Sequence, residues 1–180
     1  KKDLGLAIRA LTTFCAEEPK AACGVKLVLA GGWDERLQDQ VEYFEELQEE
    51  VDRLGLRSRV QLRRNVSIQE RRDLFALSSA VVYTPSNEHF GIVPIEAMAA
   101  GRPVIAVRMG GPCESILHGR TGWLCEPTAA DFARAFAEVS RLSAVGGLAE
   151  RGHAARQHVQ QTFSREIFGE KLEGHLLSCL

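Results

Sequence analysis

Tyr83-Thr84-Pro85-Ser86-Asn87-Glu88-His89-Phe90-Gly91-Ile92-Val93-Pro94-Ile95-Glu96-Ala97-Met98-Ala99-Ala100-Gly101 joins a short apolar strand to a helix. The run from Ala80 to Thr84 reads as the strand, and Pro85, which has no N–H to offer a neighbouring strand, ends it. A polar loop follows. Pro94 suits the first turn of a helix that begins near Ile92, because a donor is not needed there. Strand, loop and helix in that order form the unit from which α/β domains are built.

The unit recurs on both sides. Lys26 to Ala30, Arg59 to Arg63, Val104 to Val107 and Gly122 to Cys125 are short apolar or β-branched runs, each followed by a turn or helix signal. Alternation of this kind implies parallel strands joined by crossover helices that pack on both faces of the sheet. Between Asp34 and Leu54, apolar side chains at Leu37, Val41, Phe44, Leu47, Val51 and Leu54 keep helical spacing, and Gly55 supplies a stop. Ser67 and Glu70 have the spacing of a capping box, which predicts a helix from Ile68 to Ser78. Thr128 and Ser164 are expected caps. From Asp131 to Leu180 the sequence reads as two or three helices with no strand between them, broken at Gly146-Gly147. Residues 1–180 are expected to form a single domain, since a chain of 180 residues buries roughly 70% of the surface it exposes when unfolded.

Composition limits the function classes. Hydrophobic residues at 45% and charged residues at 26% are ordinary globular values, which argues against disorder or a fibrous repeat. A net charge of -2 offers no broad basic surface for a phosphate backbone, so no nucleic-acid partner is expected. Any anionic ligand must be held locally. Cys15, Cys23, Cys113, Cys125 and Cys179 are scattered, without paired zinc-ligand spacing, and read as reduced thiols in a reducing compartment. No apolar run reaches the roughly 20 residues of a membrane helix, so the chain is expected to be soluble and to meet a membrane only through a longer parent protein. The start, Lys1-Lys2-Asp3, reads as a cut from such a parent.

The chemistry is expected where the quoted loop meets its helix. Parallel sheets bind ligands at the carboxyl ends of their strands, and a helix starting near Ile92 aims free N–H groups and its positive dipole end there, a seat for phosphate. Gly91 lets a backbone approach. Glu88 precedes the helix and Glu96 lies about one turn into it, so the two carboxylates flank that seat and suit sugar or ribose hydroxyls. Taken alone, Glu96 could equally complement the helix dipole, and Glu88 could equally be a solvated loop carboxylate.

Glu88 followed by Glu96 resembles the Glu-x7-Glu signature of the retaining glycosyltransferases with the GT-B fold, group four. The surrounding Tyr83 to Pro94, Gly110-Gly111-Pro112 with Glu114-Ser115-Ile116, and Thr121-Gly122-Trp123-Leu124-Cys125-Glu126-Pro127 are similar to the mannosyltransferases that build the dolichol-linked oligosaccharide used in N-glycosylation. The similarity runs from Lys1 to about Val139. It implies a Rossmann-like domain, the C-terminal half of a GT-B fold, whose N-terminal acceptor domain is absent from this chain.

The resemblance also implies roles. Glu88 contacts the transferred hexose, as the catalytic residue, and Glu96 holds the ribose. The backbone of Phe90, Gly91, Ile92 and Val93 meets hexose and diphosphate. Lys2, with Lys1 as the alternative, lies on the diphosphate. Val66 and Arg71 frame the base, and Gly31-Gly32 forms a tight turn near the donor. Arg63, Arg64 and Arg72 read as a solvated or donor-facing basic rim. His89 is assigned to loop structure or hexose contact, since the donor phosphate of a retaining transferase can take the acceptor proton. His118, His153, His158 and His175 show no partner pattern and are expected at the surface.

The resemblance implies GDP-mannose as donor, a lipid-linked oligosaccharide on dolichyl diphosphate as acceptor, retention of configuration, and a place on the cytosolic face of the endoplasmic reticulum. No Asp-x-Asp pair is present, so neither a metal nor a cofactor is expected. The isolated chain is expected to bind nucleotide weakly and to turn over nothing. Another nucleotide sugar, or a noncatalytic nucleotide-binding or interaction domain of the same fold, is the alternative. A Rossmann dehydrogenase would need Gly-x-Gly-x-x-Gly where Gly31-Gly32-Trp33-Asp34-Glu35 stands.

Overall fold

The computed structural model describes residues 3–178. Its elements are α1 (Leu4–Glu17), β1 (Leu27–Gly31), α2 (Gln38–Arg53), β2 (Val60–Arg64), α3 (Ile68–Leu77), β3 (Val81–Tyr83), α4 (Ile92–Ala99), β4 (Val104–Val107), α5 (Pro112–Ser115), β5 (Gly122–Cys125), α6 (Ala129–Ala144), α7 (Gly147–Phe163) and α8 (Arg165–Ser178). All strand pairs are parallel: β1 beside β2, and β3-β4-β5 in that order.

Strand periodicity explains the two cores. In β4, Ile105 and Val107 face one way and Val104 and Ala106 the other, and all four are buried. The first face joins Leu27 and Leu29 of β1, Val60 of β2 and Trp123 and Cys125 of β5 in one cluster, capped by Leu6, Ile8, Leu11 and Phe14 of α1 and Phe132 and Phe136 of α6. Phe14 and Phe136 meet edge to face at 6.3 Å, a geometry that adds to the area they bury. The second face joins Tyr83 of β3 and Leu124 of β5 with Ala97 and Met98 of α4 and Ala155 and Val159 of α7. Gly152 lets α7 come this close: a Cβ there would overlap the carbonyl oxygen of Gly101.

The caps hold and the boundaries move slightly. Ser67 and Glu70 form the reciprocal capping box, Thr128 accepts from the N–H of Asp131, and Ser164 accepts from the N–H of Ile167. Gly146, at φ 76, breaks α6 from α7, and three helices close the chain. β1 and β2 each start one residue late and run one further, because Leu27 pairs with Val60 and Gly31 with Arg64. Helix α2 begins at Gln38 rather than Asp34, because Asp34 turns its carboxylate onto the backbone and guanidinium of Arg36. Of the apolar residues at helical spacing, Leu47 and Val51 are buried, while Leu37 is half-exposed.

Candidate functional site

The loop between β3 and α4 is shaped by three glycines for three different reasons. Gly91, the N-cap of α4, has φ 75, which an L side chain rarely adopts, and a Cβ there would sit 2.6 Å from the Tyr83 hydroxyl. Gly110, at φ 59, would place a Cβ on the carbonyl oxygen of Glu88. Gly111 has ordinary helical angles, but its Cβ would overlap the backbone of Phe90. Its N–H donates to the Glu88 carbonyl at 3.2 Å. The Gly110-Gly111-Pro112 segment therefore lies flat against Glu88 to Phe90 and fixes where that backbone runs.

Tyr83 fixes the Glu88 side chain. Its hydroxyl donates to Glu88 Oε2 at 3.1 Å, and the ring is buried at the end of β3. Burial first, then the hydrogen bond and the charge of Glu88, push the phenol up to about 12, so it remains a neutral donor. Glu96, one turn into α4, accepts from Arg71 of α3 at 3.0 Å. Both side chains keep access to solvent, 30% for Glu96 and 47% for Arg71. An ion pair this exposed is worth about 0–1 kcal/mol, little enough for a ligand hydroxyl pair to replace it. No side chain among the described residues caps α4, so its first-turn N–H groups are left to other partners.

On the other side, Gly31 ends β1 with Gly32 just after it, and Val66, half-buried, precedes the capping Ser67 of α3. His89 is exposed and Phe90 is 41% exposed, its ring 6.0 Å from Phe163. Arg64 is exposed, as a solvated rim requires, and its guanidinium also stacks 4.3 Å over Trp33 and 4.8 Å over Phe44. Lys2 and Lys1 lie outside the described residues, as does Cys179.

Two histidines correct the expectation of unpartnered surface residues. His158 is half-buried, its Nε2 at 3.1 Å from the Ser115 carbonyl and its ring edge-on to Phe163. His118, although exposed, accepts the N–H of Leu124 on Nδ1. Tyr83, the Gly110-Gly111 contact and Asn65, which hydrogen-bonds Trp33, escaped the sequence reading. The Tyr-x4-Glu and Gly-Gly-Pro patterns were visible, but their contacts span other elements.

A recess of about 760 Å³ runs along β5, lined by Arg108, Trp123, Asp131, Arg134, Glu138 and Arg141 among others. It contains neither Glu88 nor Glu96, and two of its arginines pair within it, Arg134 with Asp131 at 2.6 Å and Arg141 with Glu18 at 3.9 Å. Among the described residues no cluster of His, Cys, Asp or Glu could hold a metal ion, Cys15, Cys23, Cys113 and Cys125 are free, and no helix is long and apolar enough to cross a membrane.

Residues 1–157 match the family described as glycosyl transferases group 1. Over 96% of its length the chain is 38% identical to alpha-1,3/1,6-mannosyltransferase ALG2 of Dictyostelium discoideum, covering 42% of that protein. It is 41% identical to the Homo sapiens protein of the same name, over the whole chain and 43% of that protein. The chain thus spans about two fifths of the curated relatives it matches. Among solved structures, HepE of Anabaena in complex with UDP superposes with a TM-score of 0.81 at 27% identity, over 98% of this chain and 45% of that one.

Proposed function

The chain belongs to the glycosyl transferases of group 1, and from that premise we propose that it is the donor-binding domain of a mannosyltransferase that uses GDP-mannose. One observation carries the reading. Two carboxylates, Glu88 and Glu96, flank the uncapped N-terminus of α4 in a chain similar along its length to mannosyltransferases. The diphosphate takes the free N–H groups of that helix, with Gly91, Ile92 and Val93 as the approach and Lys2 as a further cation. Glu96 exchanges Arg71 for the ribose hydroxyls, and Val66 and Arg71 border the base. Glu88, aimed by Tyr83 and by the Gly111 contact, faces the hexose beside Phe90 and His89.

In the proposed reaction the bond between mannose C1 and the diphosphate oxygen breaks, and GDP leaves with the electron pair. The acceptor hydroxyl bonds C1 on the same face, which retains configuration, and its proton passes to the leaving phosphate. Neither a histidine base nor a metal is required. The acceptor is a lipid-linked oligosaccharide on dolichyl diphosphate at the cytosolic face of the endoplasmic reticulum. Its site is assigned to the part of the enzyme that lies outside the match, so this chain alone turns over nothing.

A second reading has one observation behind it: HepE was solved with UDP, which favours a uridine donor. Calorimetric titration with GDP, UDP and NAD, with and without chelator, separates the two. The expected result is GDP selectivity, unchanged by chelator and weakened in Glu96→Ala by about tenfold or more, the worth of a charge-assisted hydrogen bond. UDP selectivity replaces mannose with another sugar class. NAD selectivity, or affinity that depends on a metal, overturns the proposal.

A further inference from the structure

The parallel ladder of β1 and β2 ends at Gly31 and Arg64, yet the two chains stay joined beyond it. The next residue, Asn65, has φ 51, and is alone among the described non-glycine residues in the left-handed region. Its backbone N–H donates to the Gly31 carbonyl at 2.9 Å. Its side chain makes a two-way bridge to Trp33, accepting the N–H on Oδ1 at 2.8 Å and donating Nδ2–H to the carbonyl at 2.8 Å. The amide thus takes the place of the strand backbone that has turned away. Asparagine suits the position twice over, since it tolerates the left-handed region and carries a donor and an acceptor side by side.

The bridge holds a turn whose glycines are required by no contact among the described residues. Gly31 and Gly32 are absent from the positive-φ residues, and a Cβ on either meets nothing within 4 Å among the described residues. Gly91, Gly110 and Gly111 contrast with them, since each is required by its φ or by a neighbour. Bare backbone at the carboxyl end of a parallel strand, with open space in front, fits the approach of a ligand. Trp33 is gripped a second time, by Arg64 over its ring.

We propose that Asn65 is a positioning residue for nucleotide binding, bridging Trp33 so that the bare Gly31-Gly32 backbone is presented to the donor. This rests on the donor-binding reading above. Asn65→Gly keeps the backbone conformation and removes only the side-chain bridge, while Asn65→Asp keeps the acceptor and sets a carboxylate oxygen against the Trp33 carbonyl. Amide hydrogen exchange at Trp33, read without ligand, reports the bridge, and GDP titration reports its use.

In Asn65→Gly Trp33 is expected to exchange at least tenfold faster, and in both variants GDP affinity is expected to fall about tenfold, the effect of losing one productive hydrogen bond. Thermal unfolding should show both variants still folded. Unchanged exchange overturns the bridge. Faster exchange with unchanged GDP affinity overturns the positioning role while leaving the donor reading intact. If the unaltered chain binds none of GDP, UDP and NAD, the donor reading itself fails and the role falls with it.

Discussion

Gly111 carries the sharpest steric demand of any residue in the site. Its backbone angles suit any amino acid, so the whole cost of a side chain comes from the Phe90 backbone against which it lies. Backbone cannot swing aside as a flexible side chain does. Gly111→Ala is therefore expected to displace the Glu88 to Phe90 loop, lowering the thermal midpoint by several degrees, as about 1–3 kcal/mol of overpacking does, and weakening GDP binding. Gly32→Ala, with nothing near its Cβ, is the matched control and should leave the midpoint unchanged. Equal midpoints for the two variants would refute the packing argument. At this scale the sequence could single out Glu88 and Glu96 as candidates, because their spacing is local and resembles a family signature. It did not reveal Tyr83 on Glu88, Arg71 on Glu96, His158 on Ser115 or Asn65 on Trp33. Such contacts depend on which elements the fold brings together, or on a rotamer, and neither is written in local spacing.

Helix α3 shows the element scale, because it begins beside Val66 and carries Arg71 toward Glu96. Its start is set by the box in which Ser67 Oγ accepts the N–H of Glu70 at 3.1 Å and the Glu70 carboxylate accepts the N–H of Ser67 at 2.7 Å. None of its residues is fully buried, so the cap contributes a large share of what holds it. Ser67→Ala is expected to cost about 1 kcal/mol by urea titration, while Gln69→Ala, on the same exposed turn, stays within about 0.5 kcal/mol. A smaller effect for Ser67→Ala than for the control would remove the box from the account. Capping was readable in advance because both partners lie three residues apart. Strand ends were displaced by one residue because register is decided by the partner strand. The start of α2 was misplaced because Asp34 spends its carboxylate on Arg36 instead of a cap.

The whole molecule is a parallel sheet in two pieces between two apolar clusters, and the alternation of strand and helix signals made that layering legible. The division of the sheet was not, since the apolar runs have similar patterns whichever neighbour they pair with. Among its fully buried members each cluster contains one titratable group that burial holds neutral. Cys125, in the first, is pushed up to about 12 from 9.0, by burial and then by the charge of Asp131. Tyr83, in the second, is pushed up to about 12 from 10.0. Both folded values exceed the unfolded ones, so the unfolded chain sheds these protons first. Their stabilisation is complete below pH 9 and is lost as pH rises from 9 toward 12, with one proton per group. Urea midpoints should therefore hold level from neutral pH to about 9 and then fall, because an acid kept neutral by burial favours unfolding once its unfolded form ionises. Cys125→Ala should postpone the fall by about one unit, to where Tyr83 begins to titrate. A midpoint that rises above pH 9 would reverse the sign of both shifts, and a Cys125→Ala profile parallel to that of the unaltered chain would place its thiol in water rather than in the core.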